Sequence, residues 1–259
     1  MRAPSIEFWQ VIAFSAFIVL SSITSLILRL KLEKDLWVGA VRTTSQLFLM
    51  GFVLKYIFDH PNFFLVIGLF VWMTFWAARI INKRIKNKPF EVQQPVFLSM
   101  IVTYILISSV TTGGLLQVRP WFKPEIFIPL AGMVVGNSMN AIAISLDRLF
   151  TELRDKRGDV EQMLAFGATA SEASHSVIQS AVKTGMIPAI NAMMSVGLVF
   201  IPGMMTGQIL GGEDPLSAAK YQIMIMLMIS ASTALGCSLV TILVAKRCFT
   251  EKHQLKYWE

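Results

Sequence analysis

Six stretches of this chain carry no charged residue and are long enough, or nearly so, to cross a lipid bilayer. They are Phe8–Leu28, Pro61–Ala78, Val92–Val118, Ile126–Leu146, Thr184–Gly212 and Tyr221–Ala245, of 21, 18, 27, 21, 29 and 25 residues. A bilayer core takes roughly 20 apolar residues per helix, and backbone amides inside it must be satisfied within the protein. A seventh stretch, Leu36–Leu54, qualifies if Arg42 is tolerated inside it. Charged residues make up only 15% of the chain, against ~25% in soluble proteins, so little polar material remains to coat a water-facing globule. The expectation is an all-α polytopic membrane protein with seven transmembrane helices, a single domain over residues 1–259. Soluble-enzyme, disordered, collagenous and disulfide-stapled classes are excluded.

The cations assign the topology. Of the 23 Lys and Arg residues, seventeen follow spans one, three, five and seven: Arg29, Lys31 and Lys34; Arg79, Lys83, Arg84, Lys86 and Lys88; Arg148, Arg154, Lys156, Arg157 and Lys183; Lys246, Arg247, Lys252 and Lys256. The opposite side holds Arg2, Lys55, Arg119, Lys123 and Lys220, and Arg42 lies within span two. Cytoplasmic loops carry the cation excess, so the N-terminus is predicted outside and the C-terminus inside. In such a chain the net charge of +7 reports orientation and lipid headgroups, and no nucleic-acid partner is expected. The first apolar run carries Glu7 at its edge and outlasts the about 7–15 residues of a signal-peptide core. It reads as span one. Cys237 and Cys248 are eleven residues apart, in and just beyond the last run, which suits neither a disulfide framework nor a metal knuckle.

The connection between spans five and six differs from the other loops. Asp147–Arg157 reads as a helical extension of span five, with Glu152 and Lys156 one turn apart in the favoured order. Gly158 is expected to interrupt it, Asp159–Phe166 to restart a short helix, and Gly167 to end that helix at positive φ. Thr169 and Glu172 have the spacing of a capping box, opening a second helix through Ala173, Val177 and Ala181; Pro188 lies close to where span six enters the membrane. Residues 147–187 are thus predicted to form a cytoplasmic helix–bend–helix joined rigidly to two spans, able to pass force from a soluble partner into them. An amphipathic interfacial helix with no partner is the alternative.

Glu161-Gln-Met-Leu-Ala-Phe-Gly167-Ala168 resembles the E-A-A-x-x-x-G loop by which many ABC transporter permeases dock into their ATPase, with the Glu six residues before the Gly. In that loop a proline follows the glycine more closely than Pro188, twenty-one residues on, follows Gly167. More widely, Ile128–Asn137, Phe166–Thr169, Val196–Gly207 and Ala219–Met224 resemble the FetB-type permeases, iron-export ABC permeases related to plant aluminium-tolerance permeases. The resemblance spans about Leu36 to Lys246. It implies the membrane subunit of an ABC exporter in the plasma (inner) membrane, moving a metal cation, iron, outward. ATP and Mg would sit on a separate ATPase, and this chain would bind no cofactor of its own. It also implies that Glu161, Phe166, Gly167, Ala168, Thr169 and Glu172 form the ATPase-coupling surface.

Within the spans, Arg42 is costly at membrane depth, roughly 2.5–3.5 kcal/mol on insertion scales. With Gln46 one turn along, it snorkels to the inner headgroups, pairs between helices, or lines a transport path. Gly132 and Gly136, followed by Asn137 and Asn140, and then Gly203, Gly207 and Gly211, have the small-residue spacing that lets membrane helices approach closely. They suit an antiparallel pair within the chain or the contact of a homodimer. Pro129 is expected in the first turn of span five, where proline is harmless, and Pro202 well inside span six, kinking it. Fifteen methionines, among them Met133, Met139, Met193, Met194, Met204, Met205, Met224, Met226 and Met228 in the last three spans, read as adaptable packing. As ligands their soft thioethers suit copper(I) better than iron or aluminium, and the metal-binding residues stay unassigned. The chain contains no G-x-x-x-x-G-K-[ST] phosphate loop and no H-E-x-x-H, so it is read as a transport subunit and not an enzyme. Alternatives are an ABC permease for a non-metal substrate such as a sugar nucleotide, or an ATP-independent secondary transporter or channel.

Overall fold

The computed structural model describes residues 7–85, 88–250 and 254–256; Arg2, Lys86, Lys252 and His253 lie outside them. The described residues are helical with no named strand. Among the described residues, four helices are long and apolar enough to cross a membrane: Phe63–Arg84, Pro124–Asp155, Pro215–Arg247 and the helix of Gln93–Leu115. The chain divides into two compact units, one running to Pro61 together with Leu210–Glu213, the other comprising Asn62–Ile209 and Asp214 onward.

In the first unit, α1 (Phe8–Phe14) and α2 (Ala16–Ile27) share the first apolar run, which turns at Ser15. α2 packs on α3 (Glu33–Asp59). Ser25 is buried and joins the two, donating from Oγ to Glu33 at 2.8 Å and accepting from the Leu32 N–H at 3.1 Å. Arg42 is inside α3 and exposed, with Gln46, also exposed, one turn further.

The second unit is built around α6 (Pro124–Asp155), against which α4 (Phe63–Arg84), α9 (His175–Ser195) and α11 (Pro215–Arg247) pack. A stripe of Phe127, Ala131, Val134, Ser138, Ala141, Ser145, Leu149 and Glu152 recurs at helical period and is buried along its whole length. Contacts fix the relative directions. Phe70 meets Phe127 with ring centroids 6.1 Å apart, and Arg84, further along α4, reaches Asn140, further along α6. Ser138 pairs with Thr233 at 3.2 Å and Ser145 with Thr241 at 2.8 Å. So α4, α6 and α11 are parallel. Ser180 meets Glu152 while Gly185 meets Ala141, so α9 runs against α6. α5 (Gln93–Ser109) continues as a π-helical turn, Val110–Leu115. Its Tyr104 stands on Gly236, while Leu115 lines a cavity with Lys220, so it too runs against α11. Direction thus alternates along the chain through α4, α5, α6, α9 and α11. Lys88 is drawn into the α4–α5 connection, donating to the Asn82 side chain at 2.7 Å and pairing with Glu91 at 3.0 Å.

Three expectations are corrected. The sixth apolar run is not a kinked helix: α9 ends at Ser195 and α10 (Gly203–Leu210) begins after a non-helical Val196–Pro202. Gly197 at φ 82° turns the chain, and proline disfavours helical backbone in the residue before it. Pro202 instead opens α10, its carbonyl accepting from Thr206 N–H at 3.0 Å. The extension of span five breaks at Lys156 and not at Gly158, which is inside α7 (Arg157–Ala165). Lys156 folds back to Glu152 at 3.1 Å, holding the non-helical turn. Pro129 falls in the second turn of α6, because the helix starts at Pro124, ahead of the apolar run.

Candidate functional site

Two places in the second unit bring chemistry-bearing residues together: the bent segment between α6 and α9, and a cavity among α6, α9, α10 and α11.

The bend is set by local backbone chemistry. α6 is 32 residues long, about 48 Å at 1.5 Å per residue, so it outlasts a bilayer core of ~30 Å by several turns. α7 follows, closed by a Schellman motif in which Ala168 N–H bonds Met163 C=O at 3.1 Å and Gly167 N–H bonds Leu164 C=O at 3.0 Å. Gly167 sits at φ 93°, where a Cβ is strained. Two residues later Thr169 caps α8 (Ala170–Ala173) with both halves of the capping box. The Thr169 backbone N–H, and then its hydroxyl, each 2.8 Å from Glu172 Oε2, hold the Glu172 carboxyl below its ordinary value of 4.5. α8 is short because Ser174 donates to Ala170 C=O at 2.7 Å and bends the chain. α9 then runs unbroken from His175 to Ser195, with Pro188 inside it.

The expected coupling residues cluster at this bend. Phe166 is 82% exposed and Met163 43%, both on the α7 side of the Gly167 turn. Glu161 is exposed and paired with Arg157 at 2.6 Å. Sequence reading missed what anchors the bend. Glu152, only 3% exposed, takes Arg148 at 2.6 Å and a short hydrogen bond from Ser180 on one oxygen, and Lys156 at 3.1 Å on the other. It ties the end of α6 to α9. Ser180 lies in a helix of ordinary polarity, and no local pattern singles it out.

The second place is a cavity of about 380 Å³. Asn137 and Asn140 line it, with Pro202 and Gly203 from the broken segment. Asn137 donates from Nδ2 to Met133 C=O at 2.8 Å, and Asn140 Oδ1 accepts from Arg84 at 2.9 Å. Gln222 enters from α11; it is 6% exposed and its Oε1 is buried without a partner. Among the described residues, no charged side chain lines the cavity.

The glycines sort differently from their sequence spacing. A Cβ on Gly132 would stand 3.1 Å from Met73, so it accommodates α4; Gly136, Gly203 and Gly207 have nothing within 4 Å. Close backbone approach inside the chain occurs at Gly185, where a Cβ would sit 2.7 Å from Ala141 C=O, and at Gly236, 2.7 Å from the Tyr104 hydroxyl. Arg42 and Gln46 belong to the first unit and are exposed on α3. Cys237 and Cys248 are both free and buried.

Residues 8–249 match UPF0014, described as an uncharacterised protein family. The chain belongs to it. A Bacillus subtilis relative, UPF0014 membrane protein YjkA, is 34% identical, over 93% of this chain and 94% of its own length. The Escherichia coli probable iron export permease protein FetB is 32% identical, over 88% of this chain and 86% of its own. The Arabidopsis protein ALUMINUM SENSITIVE 3 is 30% identical, over 92% and 86%. No solved structure matches. This is therefore a membrane protein of a family that contains a probable iron export permease and the plant protein ALUMINUM SENSITIVE 3.

Proposed function

We propose that the chain is the membrane-spanning subunit of an ATP-driven exporter, moving metal cations, iron among them, out of the cytoplasm. In this reading it crosses the plasma (inner) membrane seven times, with the N-terminus outside and the C-terminus inside. Two copies pair through the uncovered faces of Gly136, Gly203 and Gly207, and each docks a separate ATPase that carries ATP and Mg. The observation that carries the reading is the bend itself: a tightly capped turn presenting Phe166, joined through the short helices α7 and α8 to the long helices α6 and α9. Closure of the paired ATPases would push this lever, and α6 and α9 would tilt as a unit because Glu152 clasps Ser180.

Gly167→Pro tests the reading. Proline is held near φ −65° and cannot take the φ of 93° seen there. The variant should remain in the membrane but lose a co-purifying ATPase, whereas Gly68→Ala, where an added Cβ meets nothing within 4 Å, should retain it. Equal recovery of the ATPase with Gly167→Pro would refute the docking site, and labelling of Phe166→Cys from outside the cell would refute the orientation.

A further inference from the structure

We infer that the cavity among α6, α9, α10 and α11 is the cargo site, and that it selects a soft cation of low charge, of the silver(I) and copper(I) class, over a hard trivalent ion. This rests on the exporter reading and narrows its substrate. The first observation is the wall: Met133, Met193, Met204 and Met226, from four separate elements, all line one cavity. Thioether sulfur is a soft, neutral donor that favours soft, low-valent metals.

The second observation is Gln222, whose carboxamide oxygen is buried without a hydrogen-bond partner. Leaving a buried acceptor unpaired is costly, and a cation in the cavity would relieve that. The third is the broken helix. Non-helical backbone at membrane depth is tolerated where it lines a cavity, and discontinuous helices form binding sites in transporters. Phe200 and Pro202 of the Val196–Pro202 break line this one.

Charge then decides between cargos. A hard trivalent ion gives up its water only to anionic oxygen ligands, and none of the described residues lining the cavity is Asp or Glu. Arg84, bonded to the cavity residue Asn140, opposes a cargo in proportion to its positive charge. Four thioethers and an amide oxygen suit a monovalent soft ion, and they admit iron only in its reduced, ferrous state.

The test uses the purified full chain carrying Cys237→Ala and Cys248→Ala, which removes the thiols that would otherwise capture the probe. Methionine oxidation by hydrogen peroxide is followed by mass spectrometry with silver(I), with lanthanum(III), or with no metal. Silver(I) at about ten times its Kd should slow oxidation of Met133, Met193, Met204 and Met226 about tenfold, leave exposed Met163 unchanged, and lanthanum(III) should protect none of them. Replacing Met193, Met204 and Met226 by Leu keeps side-chain volume and should remove one bound silver per chain. Absence of silver protection, equal protection by lanthanum(III), or undiminished silver binding by a folded triple variant would each overturn the inference. If that variant does not fold, the oxidation pattern of the cysteine-free chain decides. Silver protection with no ATPase recovered would support the site and sink the exporter reading; ATPase recovery with no protection would do the reverse.

Discussion

Glu152→Ala probes the join between the bent segment and the bundle. The carboxylate is almost fully enclosed and takes three donors, Arg148 and Ser180 on one oxygen and Lys156 on the other. Removing it forfeits the charge-assisted bond from Ser180, about 1.5–3 kcal/mol. It also forfeits two i,i+4 ion pairs of roughly 0.3–0.5 kcal/mol each. The cations are about half exposed, so both return to water with little further penalty. The summed loss is about 2–4 kcal/mol. A double-mutant cycle of Glu152→Ala with Ser180→Ala isolates the inter-helix part, read as denaturation midpoints of the detergent-purified chain. A coupling of about 1.5 kcal/mol is expected, and ATP-driven transport should fall more than ATPase binding does. Additivity within about 0.3–0.5 kcal/mol, or ATP-driven transport unchanged in Glu152→Ala, would refute the clasp.

The remaining expectations concern packing and protonation. Gly185→Val should destabilise the chain by about 1–3 kcal/mol through overpacking, since a Cβ there meets Ala141 C=O and Ser145 Cβ at 2.7 and 2.8 Å. Gly207→Ala, with nothing within 4 Å, should fold at least as well as the parent in the same assay. The lowered carboxyl of Glu172 stabilises the bend fully above the ordinary glutamate value of 4.5, and that contribution is lost as pH falls through its lower folded value. Protection of the amides of Thr169 and Glu172 against hydrogen exchange, relative to their intrinsic rates, should therefore fall in that acidic window, a fall that Glu172→Gln should abolish.

The bend was legible because its chemistry is local. A glycine at the end of a short helix and a Thr-x-x-Glu pair act over fewer than ten residues, and the structure shows both where the sequence put them. The clasp behind it was not legible, since Glu152 and Ser180 are 28 residues apart. The same contrast holds for glycine: G-x-x-x-G spacing pointed to residues 132, 136, 203 and 207, while the tight contacts fell on Gly185 and Gly236, which have no such repeat. Pro202 could have been recognised as a break, given Gly197 and Gly203 on either side of it, yet the uninterrupted apolar run masked this.

Apolar length, scarcity of charge and lopsided cations determined by themselves that this chain is a helical membrane protein, because a bilayer imposes its thickness on each segment separately. Which methionines share a cavity, which carboxylate holds two helices together and where the sixth apolar run ceases to be helical were decided only on folding. Those depend on side chains from distant segments meeting at one place, and a linear pattern carries no record of which faces will meet.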